Sequence, residues 1–417
     1  MSKPIKSITI WHFMKRVITW LLLVLIALGS LIQMAGCSLL NPGRLVLPAK
    51  EDIQKIINEA QDGDIIDIVD LLVPEWLYIH DEYYGYWKTV TRYDDYTFVI
   101  PKGLVVTLAG DPRLTIAGIA FVCEGGNTIT LDDLNIYCYQ DQAPSTLHFT
   151  YGKNELILKG SSRLENAYQP FDTTNDERQG YGAAVGVPPE VTLTISGQGC
   201  LYATGNGSAA SIGGGYNESS GSIIITDGYI DASVIYSQTG MCGAAIGGGS
   251  GAAGGKTTIN GGRVYVSAYN GAAGIGGGYG AGIGEVTING GKVFAIAQDG
   301  GAAIGSSVNG GNGLININGG EVSTYGSAFS VYSNSSPGIG NGVGGSGVVL
   351  NIKGGILTAW GDAHSDQQAI NCMLRSLPSA YRWSIQTTLE SGTVPETFPD
   401  KAFVNDPRYY YVRIEAE

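Results

Sequence analysis

Between residues 180 and 361 the chain alternates apolar and polar residues in short runs. One copy reads Val286-Thr287-Ile288-Asn289 and then, past two glycines, Lys292-Val293-Phe294-Ala295-Ile296-Ala297. Alternation at period two turns one face of an extended segment into a core and the other toward water, so each run predicts a strand. Nothing in the unit has the 3.6-residue period or the length of a helix, which excludes helical repeat arrays.

The pattern recurs in phase. Aligning copies on the last isoleucine of the first run gives Ile195, Ile225, Ile259, Ile288, Ile317 and Ile352, with steps of 30, 34, 29, 29 and 35 residues. A second anchor, the apolar residue before the glycine that ends Ala-Ala-Ile-Gly, gives Val185, Ile212, Ile246, Ile275, Ile304 and Ile339, with steps of 27, 34, 29, 29 and 35. Two anchors keeping phase predict a structural repeat. Short strands separated by glycine corners in a 29-residue unit fit one coil of a parallel β-helix. Stacking then predicts an inward ladder of Leu193/Ile195, Ile223/Ile225, Thr257/Ile259, Val286/Ile288, Ile315/Ile317 and Leu350/Ile352. A second inward ladder runs through Ile230, Val264, Val293, Val322 and Leu357, and paired alanines lead into the Ile-Gly corner.

Weaker alternation extends upstream through 104–108, 114–119, 128–139 and 155–158. Ahead of it, Ile53, Ile56, Ile57 and Ala60 have helical spacing, with Asp52 as the expected N-cap, and a strand follows over Ile65–Val69. An amphipathic helix at the open end of a solenoid predicts a cap. An aromatic insertion, 78–96, interrupts the strands just after it. Beyond residue 372 glycines nearly vanish. Two strands, Tyr381–Ile385 and Tyr409–Ile414, then predict either a C-terminal cap or a small separate β module.

Composition sharpens this picture. Fifty of the 63 glycines lie between Gly180 and Gly361, where they supply turns rather than low complexity. Residues 1–36 hold Lys3, Lys6, Lys15 and Arg16 and no acid, so the remainder carries 20 bases against 37 acids. A surface that acidic repels phosphate backbones and argues against nucleic acid as a partner. The same 36 residues read as an export signal: a basic start, an apolar stretch from Val17 to Ile32, then Met34-Ala35-Gly36-Cys37. That ending resembles the bacterial lipobox, which implies cleavage before Cys37, lipid modification of its thiol and a membrane anchor on the outer face of the bacterial cell membrane. An uncleaved membrane anchor is the other reading. Residues 37–50 then form a linker, 51–371 the β-helix with its regular repeats over 185–371, and 372–417 the C-terminal element. The five other cysteines include no CxxC spacing and read as buried free thiols.

Thr258-Ile259-Asn260-Gly261-Gly262-Arg263-Val264-Tyr265-Val266-Ser267-Ala268, followed by Gly271–Gly278, resembles the glycine-rich right-handed β-helix repeats of surface proteins from Gram-positive anaerobes. The resemblance covers about residues 154–371, and the capping helix is similar to those of pectate-lyase-type β-helices. It implies an all-β fold, a right-handed parallel β-helix of about ten coils with a short N-terminal capping helix and a small C-terminal β module. Some lipoproteins of that group bind plant cell-wall polysaccharide and calcium. No ligand-binding residue carries over by motif.

Catalysis finds little support in the residues. Lyases of this fold need clustered carboxylates with a basic residue nearby, and glycosidases need two carboxyls facing one sugar. Here the acids are scattered, so the chain is expected to be a non-catalytic polysaccharide-binding or adhesive protein. A polysaccharide lyase or hydrolase acting on pectin-like glycans and a structural envelope spacer are the alternatives. The richest binding chemistry lies in the aromatic insertion, where Tyr83, Tyr84, Tyr86, Trp87, Tyr93 and Tyr96 are the candidate glycan-binding residues. Aromatic rings stack on sugar C–H faces, and the same rings would equally fill a groove as packing. Tyr265 and Phe294, at equivalent positions, form a shorter candidate stripe. No cofactor is expected. Calcium is possible only at Asp94, Asp95, Asp132 and Asp133, where solvated turn acids are the plainer reading.

Overall fold

A computed structural model describes residues 49–72, 89–138, 145–166, 182–235, 240–327, 336–361, 369–376, 381–386 and 411–416. These residues are almost entirely β, with two short helices, α1 (Lys50–Glu59) and α2 (Ile68–Leu72). From residue 191 onward the strands recur in threes. One set is Gly284–Ile288, Lys292–Gln298 and Ile304–Gly305, and the set before it is Lys256–Ile259, Arg263–Ala268 and Ile275–Gly276. Each strand pairs in parallel with its counterpart one repeat away, with Val286 opposite Ile315, Val293 opposite Val322 and Ile304 opposite Ile339. The first strands of the sets build a sheet that runs from Asp64–Asp67 to Met373–Ser376. The second and third strands join a larger sheet. The fold is therefore an all-β, solenoid-like stack of long parallel sheets.

The inward ladders stand where the alternation puts them. Leu193 pairs with Ile223, Thr257 with Val286, and Ile315 with Leu350, while Ile195 through Ile352 line up beside them. Every isoleucine of that second column is buried, as are Ile230, Val264, Val293, Val322 and Leu357 on the facing strands. Thr257 is the polar member, and its buried hydroxyl has no partner among the described residues. Parallel sheets buried on one face tolerate such an exception because its neighbours keep the register.

Glycine is required where the third strand turns. Gly276 sits at φ 142°, and a Cβ there would run into the carbonyl oxygen of Gly305 in the next repeat. The same clash recurs along the column at Gly213, Gly247 and Gly305. The repeats approach so closely that this corner has no room for any side chain.

Both ends are finished differently from the middle. Helix α1 starts at Lys50, with Ala49 rather than Asp52 at the N-cap. Asp52 instead occupies the first turn, where a carboxylate favours the helix dipole. Ile53 and Ile57 are buried beneath the helix. The Gln54 amide donates to the Val99 carbonyl and accepts from the Val99 N–H, both at 2.8 Å, so a side chain takes the place of a missing strand neighbour. The expected strand over Ile65–Val69 is shorter, Asp64–Asp67, because the Asp67 carboxylate accepts from the Asp70 N–H and starts α2. At the far end Tyr411–Ala416 pairs antiparallel with both Ile356–Trp360 and Tyr381–Gln386. These C-terminal strands extend the repeat sheet and reverse its direction.

Candidate functional site

The exposed face of the larger sheet carries the most distinctive side chains. On the second strand of each set inward and outward positions alternate; on Lys292–Gln298, Lys292, Phe294 and Ile296 are outward while Val293 and Ala295 are buried. Register then places Arg163, Tyr202, Asp231, Tyr265 and Phe294 in one column, strand after strand. Two residues further along, Ile296, Tyr325, Trp360 and Tyr411 form a second column.

The rings join across these columns. Tyr229, two residues ahead of Asp231, reaches into the first column, with its ring 5.8 Å from Tyr202 and 5.3 Å from Tyr265. Tyr265 and Phe294 are 6.0 Å apart, Tyr325 and Trp360 6.2 Å, and Trp360 and Tyr411 5.4 Å. Ile296 lies on the strand of Phe294 and opposite Tyr325, and so links the two groups of rings. The Arg163 guanidinium stands 5.1 Å from the Tyr202 ring and closes the stripe at that end. Tyr265, Phe294 and Tyr325 stay 38%, 36% and 44% exposed. Stacking between parallel strands stabilises the sheet by a few tenths to about 1 kcal/mol per pair. That cohesion does not require the exposed area that remains.

Charge on this face is balanced locally. Arg163 pairs with Glu165 at 3.2 Å, Lys292 with Glu321 at 2.9 Å, and Arg413 with Glu415 at 2.7 Å. Arg263 and Asp231 have no ion-pair or hydrogen-bond partner among the described residues. Burial beside the rings holds the Asp231 carboxyl above its ordinary range, against an opposing pull from Arg163. Burial likewise raises the Tyr229 hydroxyl, helped by the Asp231 charge.

The residues expected from the sequence fall elsewhere. Cys37, Tyr83, Tyr84, Tyr86 and Trp87 lie outside the described residues. The end of the aromatic insertion does not interrupt the strands: Thr89–Ile100 is one strand of 12 residues. Its run of β-branched and aromatic residues favours extension, and a register shift between Arg92 and Tyr96 absorbs the extra length. Tyr93, Asp94 and Asp95 fall within that shift. Tyr96 is half-buried and packs edge-on against the buried Phe98 ring at 6.0 Å. That contact is packing toward the core.

Asp132 and Asp133 are committed to protein partners. Asp132 accepts from Lys159 at 2.6 Å, and Asp133, at φ 55°, accepts from the Ser161 N–H at 2.7 Å. Among the described residues no three His, Cys, Asp or Glu side chains converge as a metal site. Cys123, Cys138, Cys242 and Cys372 are buried, and burial pushes the Cys372 thiol up to about 12.

Tyr202, Tyr229, Tyr325, Trp360 and Tyr411 were not legible as a site in the sequence. They are split between two columns, with Asp231 interrupting the first, Ile296 heading the second and Tyr229 standing outside both, so no column of the repeat reads as aromatic throughout. The available signal was parity: each stands an odd number of residues from its neighbouring inward valine, leucine or isoleucine.

Compared with known proteins, the chain matches no family model, no curated protein and no solved structure.

Proposed function

We propose that this chain is a non-catalytic polysaccharide-binding protein, exported and held at the outer face of the bacterial membrane by a lipid on Cys37. In this reading the stacked repeats close into a right-handed parallel β-helix like those of the glycine-rich surface lipoproteins it resembles, and the helix serves as a rigid support for the binding face. The aromatic stripe carries the proposal. Rings from seven neighbouring strands, with Ile296 between the two groups, offer an extended apolar track on a regular sheet. Aromatic faces and edges contact the C–H faces of sugars, and the outward polar groups beside them, such as Ser233 and Thr204, meet hydroxyls. Long tracks of this kind hold a polymer by many weak contacts, which suits adhesion.

A glycan array run beside an assay for new reducing ends and unsaturated products tests the reading. Binding without product is the expected result, and product formation would make the chain a lyase or hydrolase instead. Tyr265→Ala combined with Phe294→Ala should weaken glycan binding at least tenfold. The same pair should cost stability only about 1–2 kcal/mol, the worth of lost cross-strand ring contacts. If neither binding nor turnover appears, the spacer reading takes its place.

A further inference from the structure

We infer that the stripe takes a neutral, linear glycan laid along the stack, with Asp231 as the acceptor that fixes the hydroxyls of the sugar seated against Tyr229. This rests on the binding reading above and adds the class of glycan and the residue that selects it.

The first support is the place of Asp231 in the column. Tyr202, Asp231, Tyr265 and Phe294 are consecutive cross-strand neighbours, so the carboxylate stands where another ring would continue the series. The Tyr229 ring bridges its two aromatic neighbours instead. The apolar track is therefore continuous, with a carboxylate on its flank. Other acids on this face are neutralised: Glu165, Glu321 and Glu415 each hold a cation. Asp231 alone among these four keeps its acceptors uncommitted. A carboxylate has two oxygens and only accepts, which matches a pair of adjacent sugar hydroxyls donating side by side.

Charge supplies the second support. The chain as a whole carries a net charge of −13, yet among the described residues of this face three ion pairs cancel and Arg263 and Asp231 remain. A uronate polymer would bring a carboxylate on every sugar toward Asp231, with one uncommitted cation to receive them. A cationic polymer would be drawn to the acidic surface at large rather than to the rings. A neutral polymer meets neither penalty. Burial raises the Asp231 carboxyl because water already reaches it poorly, so a hydroxyl donor there replaces little solvent.

The third is direction. Ring neighbours are strand neighbours, so the track follows the stacking direction from Tyr202 to Tyr411. Six strand spacings of about 4.8 Å give it a length of about 29 Å. That is room for an extended chain of several sugars.

Titration calorimetry on the full chain, using neutral β-1,4-linked gluco-, manno- and xylo-oligosaccharides against oligogalacturonates, tests the inference. Neutral oligosaccharides should bind, and their affinity should climb with length until they span the track. Asp231→Ala should weaken that binding about tenfold, the usual loss for a hydrogen bond to a charged acceptor, with the thermal midpoint unchanged. Tighter binding of oligogalacturonates than of neutral chains would overturn the inference, as would unchanged affinity in Asp231→Ala. In either case, loss of binding in the Tyr265→Ala, Phe294→Ala variant would leave the broader binding reading standing. Absence of binding to every glycan by the unaltered chain would defeat both together.

Discussion

At the scale of single residues, two glycines four residues apart explain why the composition is so skewed. Gly276 at φ 142° has the next repeat's carbonyl where its Cβ would be, whereas Gly280 at φ 79° has open space around it. Gly280→Ala should cost only backbone strain, about 1–2 kcal/mol. Gly276→Ala adds a clash with backbone that cannot move without opening the ladder, and should cost at least twice as much. Denaturant unfolding of the two variants side by side checks the difference, and equal losses would show that the column is less tightly stacked than its geometry indicates. His148 offers a second residue-level test. Burial lowers its imidazole to about 4 from the usual 6.5, and its Nδ1 is buried with no hydrogen-bond partner among the described residues. The folded state therefore holds His148 neutral while the unfolded chain protonates it. Its contribution is intact above pH 6.5 and declines as pH falls toward 4, by about 3 kcal/mol in all. Replacing His148 with Gln should flatten the fall in stability between pH 6.5 and 4 relative to the unaltered chain; parallel pH curves for the two proteins would refute this assignment.

At the scale of elements, the inward ladders were legible because burial imposes a period of two and the repeat holds it in phase. Ile195 through Ile352 could be placed side by side from spacing alone, and register confirms each pairing. The binding face was not legible for the converse reason. Outward positions are free of packing constraints, so Tyr229, Tyr265 and Tyr325 sit at three different offsets within their strands, and only side-chain reach across the sheet unites them. Helix α1 shows a third case. Its amphipathic spacing announced a cap, but nothing in the spacing of Ile53 and Ile57 reveals that Gln54 closes the strand edge at Val99. An unpaired edge costs desolvated backbone groups and invites other strands. Gln54→Ala should therefore lower stability by about 1–3 kcal/mol and speed hydrogen exchange at the Val99 amide while the Ile288 amide keeps its protection. Uniform acceleration along the chain would mean that the cap and the middle of the stack unfold as one.

At the scale of the whole molecule, exact phase makes the repeat removable. Residues 270–298 span one 29-residue period, and deleting them joins Tyr269 to Asp299, which takes over the left-handed position of Asn270, φ 66° against 51°. Every strand after the junction then meets a partner of its own kind: Ile304 replaces Ile275 beside Ile246, and Val322 replaces Val293 beside Val264. Because each repeat contacts only its neighbours, the shortened chain should fold cooperatively, with its stability reduced by about one repeat and one interface. Deleting only residues 270–283 would instead bring a first-sheet strand to the place of a third strand and break both ladders. Circular dichroism and denaturant melts distinguish the two, with native-like β signal and a smaller m-value expected only for the full-period deletion. A full-period deletion that fails to fold would show that the repeats depend on contacts beyond their neighbours. The same variant bears on binding, since it removes Phe294 and Ile296, keeps Tyr265 and shortens the track by one strand spacing. Affinity for long glycans should then fall while affinity for the shortest ligands at Tyr229 persists, the behaviour of a binding site distributed along a solenoid rather than confined to one pocket.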